Sequence, residues 1–195
     1  FMEPFLLTAH LAAMTSTIRF STSVHKLAVH EPALIAKSLS TLAVLSGNRF
    51  TYGVGISPWA EDFEVSNVAW EKRGKRMDEM NGLMSGEYFS YKGDMFDLPA
   101  IKLCPVPSVR PPILVGGHSI PALRRAARLG DGWIAAGGEL ESIKEMIDKI
   151  NGFRKEYGRD HLPFEFQAMT AEAYSADGIK RLEDIGVNEV LVAFR

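Results

Sequence analysis

The chain is poor in cysteine: Cys104 is the single one among 195 residues, which excludes an internal disulfide and makes a cytoplasmic enzyme the simplest setting. It sits in Leu103-Cys104-Pro105 with no histidine near it in sequence, and reads as a packing residue. No apolar run approaches the roughly 20 residues that a membrane span needs, and no signal peptide is expected. Neither charge sign dominates. Lys and Arg number 22 against 24 Asp and Glu, a net charge of −2, so a nucleic-acid or anionic-membrane partner is not expected. HExxH, CxxC and GxSxG motifs are missing, and His10, His25, His30 and His161 share no metal-ligand spacing. Metal and serine-hydrolase chemistry are therefore not expected.

What the chain does have is apolar periodicity, at 46% hydrophobic residues, enough for a full core. The spacing predicts a helix over Glu3 to Met14 and a strand over Ile18 to Val24. A helix over Pro32 to Leu45 follows, with Ile35, Leu39, Leu42 and Leu45 on one stripe and Gly47 as its stop. Arg49 to Gly55 is the next strand, leading into a loop with Ser57, Pro58 and Trp59. A charged helix is predicted from about Trp70 to Met84, where Glu71, Arg73, Arg76 and Asp78 read as a solvated, ion-paired face. Tyr88 to Phe96 reads as a hairpin centred on Lys92-Gly93, inside an insertion at about 86–111.

Strands at Pro112 to Val115, Gly132 to Ala136, Phe164 to Met169 and Glu189 to Phe194 complete the series. The helices between them include a long one marked by Ile143 to Tyr157 and closed by Gly158, and one over Ala176 to Ile185. Such βα repeats require parallel strands with helices outside them. Two closures fit: an open doubly wound sheet, or an α/β (β/α)8 TIM barrel. A complete barrel typically needs about 250 residues. The chain starts within a helix and ends on an uncovered strand, so roughly the first two strands and the last helix are expected to be absent from it. The helix around Met80-Asn81-Gly82 reads as shortened.

The richest stretch is Ile113-Leu114-Val115-Gly116-Gly117-His118-Ser119-Ile120-Pro121, a strand, a two-glycine turn and a helix start. Glycine lets a ligand approach the backbone, Ser119 suits a helix cap and Pro121 the first turn. Leu123, Ala126 and Ala127 continue at helical spacing, and Gly130 is placed to end the helix. A helix opening on a Gly-Gly turn is an anion site, typically for phosphate. The plainer reading is a tight βα turn.

Four segments in this order carry a resemblance: Leu45-Ser46-Gly47-Asn48-Arg49-Phe50-Thr51-Tyr52-Gly53-Val54-Gly55, Glu71-Lys72-Arg73-Gly74-Lys75-Arg76-Met77-Asp78-Glu79, Pro111-Pro112-Ile113-Leu114-Val115-Gly116-Gly117, and Ala122 to Trp133. Together they resemble the luciferase-like monooxygenase superfamily, in its branch of flavin- or coenzyme F420-dependent oxidoreductases. The resemblance covers about Pro4 to Phe194 and implies one (β/α)8 barrel domain over 1–195, with its cofactor at the strand C-termini.

It further implies a non-prolyl cis peptide near Ser23-Val24, a ring system lying against Gly53 and Gly55, and a cofactor phosphate on Gly116, Gly117, His118 and Ser119. His118 either donates to that phosphate or faces solvent. Trp59 either walls the site mouth or packs, and His25 and His30 either border the site or are polar surface. The implied activity is hydride transfer between coenzyme F420 and an unidentified small organic substrate. The alternatives are an FMN-dependent monooxygenase using reduced flavin and oxygen, and a non-catalytic flavin-binding barrel. An unrelated phosphate-binding isomerase or aldolase also fits the Gly-Gly turn, with Lys26 as the one strand-end lysine.

The family's acid/base residue lies on the first strands, so the catalytic residue is unknown here. Ile56 stands where some deazaflavin dehydrogenases of sugar phosphates carry Glu, which argues against that subtype. The helix over Pro32 to Leu45 is apolar beyond its stripe, at Leu34, Ala36, Ala43 and Val44, and a homodimer is expected.

Overall fold

A computed structural model describes residues 2–79 and 88–193. They fall into two compact units, Phe1–Pro112 and Ile113–Arg195.

In the first unit, helix α1 (Pro4–Met14) starts where its sequence dictates: Pro4 occupies the first turn and the Glu3 carboxylate accepts from Leu6 N–H at 2.6 Å. The single strand expected over Ile18 to Val24 is instead two short ones, β1 (Phe20–Ser21) and β2 (His25–Lys26). Both run parallel to β3 (Phe50–Gly55), with Phe20 opposite Phe50 and His25 opposite Val54. The cis Ser23-Val24 peptide lies between them, and Thr22 Oγ1 donates to Gly53 O at 2.8 Å.

Helix α2 (Pro32–Leu45) buries Ile35, Leu39 and Leu42, each such side chain contributing about 1.5–3 kcal/mol. Leu45 departs from the expected stripe and is 61% exposed. The 3.6-residue period reaches Ser46 instead, which is buried, and Gly47 at φ +63° turns the chain away. Off the stripe, Ala36 and Ala43 are buried within the unit and offer nothing to a partner, whereas Leu34 and Val44 are exposed.

A helix the sequence reading passed over, α3 (Ala60–Val65), follows the Ser57–Trp59 loop and buries Phe63 edge-on against Trp70, ring centres 5.1 Å apart. Helix α4 (Arg73–Glu79) carries the start of the charged segment; the expected end at Met84 and the Met80-Asn81-Gly82 shortening lie outside the described residues. Arg76 is not on a solvated face. It is buried, donates from Nε to Ala28 O at 2.9 Å, and lays its guanidinium 4.3 Å from the Phe96 ring centre.

The hairpin is longer than expected, with β4 (Phe89–Lys92) antiparallel to β5 (Asp97–Ile101) and Gly93 N–H donating to Phe96 O. Pro99 hid the second strand, since proline is tolerated only where no ladder bond is needed. Cys104 is exposed rather than packed; it precedes a cis proline, and its carbonyl accepts from Lys37 Nζ.

In the second unit β6 (Ile113–Gly116), β7 (Gly132–Ala136), β8 (Glu165–Met169) and β9 (Glu189–Val190) pair in parallel, in chain order. The connections are α5 (Ile120–Leu129), α6 (Leu140–Glu156) and, after a 3-10 turn at Ala171–Tyr174, α7 (Ala176–Asp184). Right-handed βαβ crossovers of this length place helices over the strands. Leu123 and Ala126 of α5, Ile143 and Ile150 of α6, and Leu114, Ile134 and Ala168 of the strands are all essentially inaccessible.

Two local details differ from expectation. Ser119 holds the cap position of α5, but its side chain makes no capping bond. Gly130 ends α5 with an ordinary φ of −84°; it is small because a Cβ there would lie 2.8 Å from Ala126 O. The last strand stops at Val190 among the described residues, and Phe194 lies outside them. No described helix is long and apolar enough to cross a membrane.

Candidate functional site

The strand ends of the first unit are crowded with side chains. Val24 packs its Cγ2 where a Cβ on Gly55 would be, 2.7 Å away, so this glycine makes room for Val24. Gly53 is buried, its carbonyl taken by Thr22. Ser23 is exposed and Val24 39% exposed.

Beside them lies a cluster drawn from three separated segments. His25 Nδ1 and Tyr52 Oη are 2.9 Å apart; the His25 ring stacks on His30 at 4.6 Å and leans on Phe5 at 4.9 Å. Burial, and then the neighbouring His30, push the His25 imidazole down to about 4, although Glu3 opposes the shift. Burial lowers His30 as well, again against Glu3, and raises the Tyr52 phenol. His25 is therefore neutral at neutral pH, and Tyr52 keeps its proton. Neither is simple polar surface. Only spatial assembly reveals this group, because Phe5, His25 and Tyr52 stand more than a helix apart in sequence.

Lys26 points to a second cluster. Its ammonium lies 2.7 Å from the Asp62 carboxylate and 4.6 Å from the Trp59 ring centre. The hydrogen bond from Lys26, followed by one from Ser57, holds the Asp62 carboxyl below its usual range. A lysine engaged by both a carboxylate and a ring has a packing role, which weakens the Schiff-base alternative. Trp59 is 57% exposed and packs through that cation.

The second unit presents backbone instead. Gly117 has φ +117°, which side chains rarely adopt, and a Cβ there would come 3.0 Å from Ala122 Cβ. Trp133 Nε1 donates to Gly117 O at 2.9 Å, and His118 Nε2 accepts from Ala136 N–H at 3.2 Å. These two bonds fix the turn from β7. His118 is thus committed through Nε2, leaving Nδ1–H as its donor. Leu123 N–H closes the first helical bond to Ser119 O, so the N–H groups before it have no acceptor within α5. The turn meets the requirement for an anion: oriented donors, a helix start, and no Cβ in the way. Among the described residues no group of three His, Cys, Asp or Glu is arranged to hold a metal ion.

Residues 1–185 match the model of a family described as luciferase-like monooxygenase. An uncharacterized protein of Mycobacterium tuberculosis (strain H37Rv) is 46% identical over 199 residues, covering 100% of this chain and 68% of that protein. An F420-dependent hydroxymycolic acid dehydrogenase of the same strain is 30% identical over 150 residues, 73% of this chain and 42% of its own length. An FMNH2-dependent dimethylsulfone monooxygenase of Pseudomonas fluorescens is 32% identical over 128 residues, 62% and 35% of the two chains.

Among solved structures, an F420-dependent secondary alcohol dehydrogenase superposes with a TM-score of 0.83 at 16% identity, over 96% of this chain and 77% of that one. The oxygenating constituent of a Pseudomonas putida 3,6-diketocamphane monooxygenase, in complex with FMN, gives 0.70 at 22% identity over 86% and 52%. These likenesses carry the fold, the α/β-barrel class read from the sequence, of which this chain spans a part.

Proposed function

The chain belongs to the luciferase-like monooxygenase family, and from that premise we propose that it is an oxidoreductase passing a hydride between coenzyme F420 and a small organic substrate. The observation that carries the reading is the Gly116–Ser119 turn, whose backbone and helix start suit a phosphate group. We assign the cofactor phosphate to Gly116, Gly117, His118 and Ser119, and its ring system to Ser23, Val24, Gly53 and Gly55. The deazaflavin supplies the hydride when bound. Gly117 admits the phosphate, His118 offers Nδ1–H, and Trp133 and Ala136 keep the turn rigid while the ligand exchanges. FMN is the second candidate, favoured by the monooxygenase relative.

We also propose a homodimer, supported by Leu34, Val44 and Leu45 standing 68%, 47% and 61% exposed on α2, in the cytoplasmic setting that a single cysteine suits. A monomer mass by light scattering at micromolar concentration would refute the dimer.

Separate fluorescence titrations with F420 and FMN test the cofactor. Gly117→Val should weaken binding at least about tenfold by obstructing the phosphate. Ser119→Asp keeps a residue suited to the cap but sets a carboxylate against the phosphate, and should cost a similar factor in a protein whose circular dichroism is unchanged. Equal affinity in parent and Ser119→Asp would move the phosphate elsewhere. Failure of the parent to bind either cofactor would end the oxidoreductase reading.

A further inference from the structure

In the second unit a cleft of about 470 Å³ opens at the C-terminal ends of β7 and β8. That volume falls in the range of small-ligand pockets, about 300–1,000 Å³. Its base is built by two bonds between the strand ends: Gly137 N–H donates to Met169 O at 2.7 Å, and Thr170 Oγ1 donates to Gly138 O at 3.0 Å. Gly137 and Gly138, at φ +89° and +118°, leave that side without side chains.

The remaining lining has a distinct chemistry. Glu139 and Glu172 contribute carboxylates, while Tyr174 and Met169, 61% and 41% exposed, contribute an aromatic face and a thioether. Glu139 occupies the cap position of α6 yet makes no capping bond, so its carboxylate is not spent on the helix. Glu172 is held in place by Arg181, and Tyr174 Oη by the backbone of Ala193 at 3.1 Å, which fixes both groups. No lysine, arginine or histidine is among the described residues that line the cleft. The cleft adjoins the glycine turn, because His118 accepts from Ala136, the residue before Gly137.

We propose that this cleft recognises an organic cation, an ammonium group carried on an apolar body, as the substrate of the enzyme. An ammonium between a carboxylate and an aromatic ring gains from both, through a charge-assisted hydrogen bond and the negative ring face. An anionic substrate, or an anionic cofactor tail, would be repelled by the Glu139 carboxylate, whereas the Glu172 charge is already paired with Arg181. The inference deepens the reading above by naming the substrate class, and rests on that reading only in taking the ligand to be the substrate.

Calorimetric and NMR titration of the full chain with benzylammonium, benzyl alcohol and benzoate tests it. Benzylammonium should bind at least about fivefold tighter than benzyl alcohol, with benzoate weakest. Glu139→Gln should bring the first two within about twofold, and Glu139→Lys should make benzoate the tightest of the three. Tyr174→Leu should weaken benzylammonium more than benzyl alcohol. Equal binding of all three probes by the parent, or an order unchanged in Glu139→Lys, would overturn the proposal. Cofactor binding is measured separately. If amine binding persists while neither F420 nor FMN binds, the cleft stands as an amine site and the oxidoreductase reading falls. If the cofactor binds and the amine preference is missing, this inference falls alone.

Discussion

The two units are packed with different materials. In the first, side chains meet side chains: Val24 fills the space beside Gly55, Tyr52 bonds His25, and Lys26 bridges Asp62 and Trp59. In the second, backbone does the work. A Cβ on Gly132 would lie 2.5 Å from Glu165 O, one on Gly178 only 2.1 Å from Glu172 O, and Gly117 sits in a conformation that excludes most residues. A site closed by side chains can be retuned by substitution, because neighbours move. Backbone carbonyls yield less, since Glu165 O belongs to the β7–β8 ladder and Glu172 O to the 3-10 turn before α7.

The largest effect expected from this contrast comes from one methyl group in the second unit. Gly132→Ala sets a Cβ against Glu165 O and 2.7 Å from Leu114 Cγ, and should destabilise by about 3 kcal/mol or slightly more, read as a lowered denaturant midpoint. A loss below about 1 kcal/mol would mean the β7–β8 backbone yields, and the contrast between units would dissolve.

Legibility in sequence follows the same division. The glycine turn was readable because its determinants are consecutive: strand, Gly116-Gly117, helix start, and a proline where no N–H is needed. The parallel βα alternation was readable for the same reason, each element carrying its own period. The first unit's clusters were not, since Phe5 comes from α1, His25 from β2 and Tyr52 from β3, and no local pattern joins them. Arg76 misled for a related reason: its helical spacing among charges matches a solvated face, but its acceptor, Ala28 O, lies 48 residues away. The cleft at Gly137–Tyr174 likewise joins two loops whose sequences show only ordinary turns. Its carboxylates gain meaning from sharing one hollow.

An intermediate effect should follow from deleting a side chain in the first unit. Arg49 donates to Ser46 O at 2.7 Å, Ile18 O at 2.7 Å, and both Ala12 O and Thr15 O at 2.9 Å, while its guanidinium covers Phe20. It thereby satisfies carbonyls at the end of α1 that the helix itself leaves unpaired. Arg49→Ala should cost about 2–3 kcal/mol in chemical denaturation. Arg49→Lys should recover less than half of that, because an ammonium cannot reproduce the planar fork. Full rescue by lysine would show that charge, not geometry, supplies the bond.

The smallest effect is a pH dependence confined to the first unit. His25 titrates near 6.5 when unfolded and at about 4 when folded, so between those values the unfolded chain binds the proton and the folded one does not. Stability from the neutral imidazole is complete above pH 6.5 and is lost as pH falls through about 4. His30, lowered by burial too, acts with the same sign, while Glu3 favours the protonated rings and moderates the slope. Tyr52 contributes no titration of its own in this range, its phenol being raised. Allowing for partial solvent screening, the His25 share is about 1 kcal/mol. Thermal melts from pH 7.5 to pH 4 should show this as a difference between the parent and His25→Gln. Glutamine can still pair with Tyr52 but takes up no proton, so carboxylate titrations elsewhere cancel in the comparison. The parent curve should fall relative to that of His25→Gln as pH drops toward 4 if the imidazole burial is the source. Parallel curves over the whole window would mean that His25 is solvated in the folded chain, and that the first unit's strand end is more open than its packing indicates.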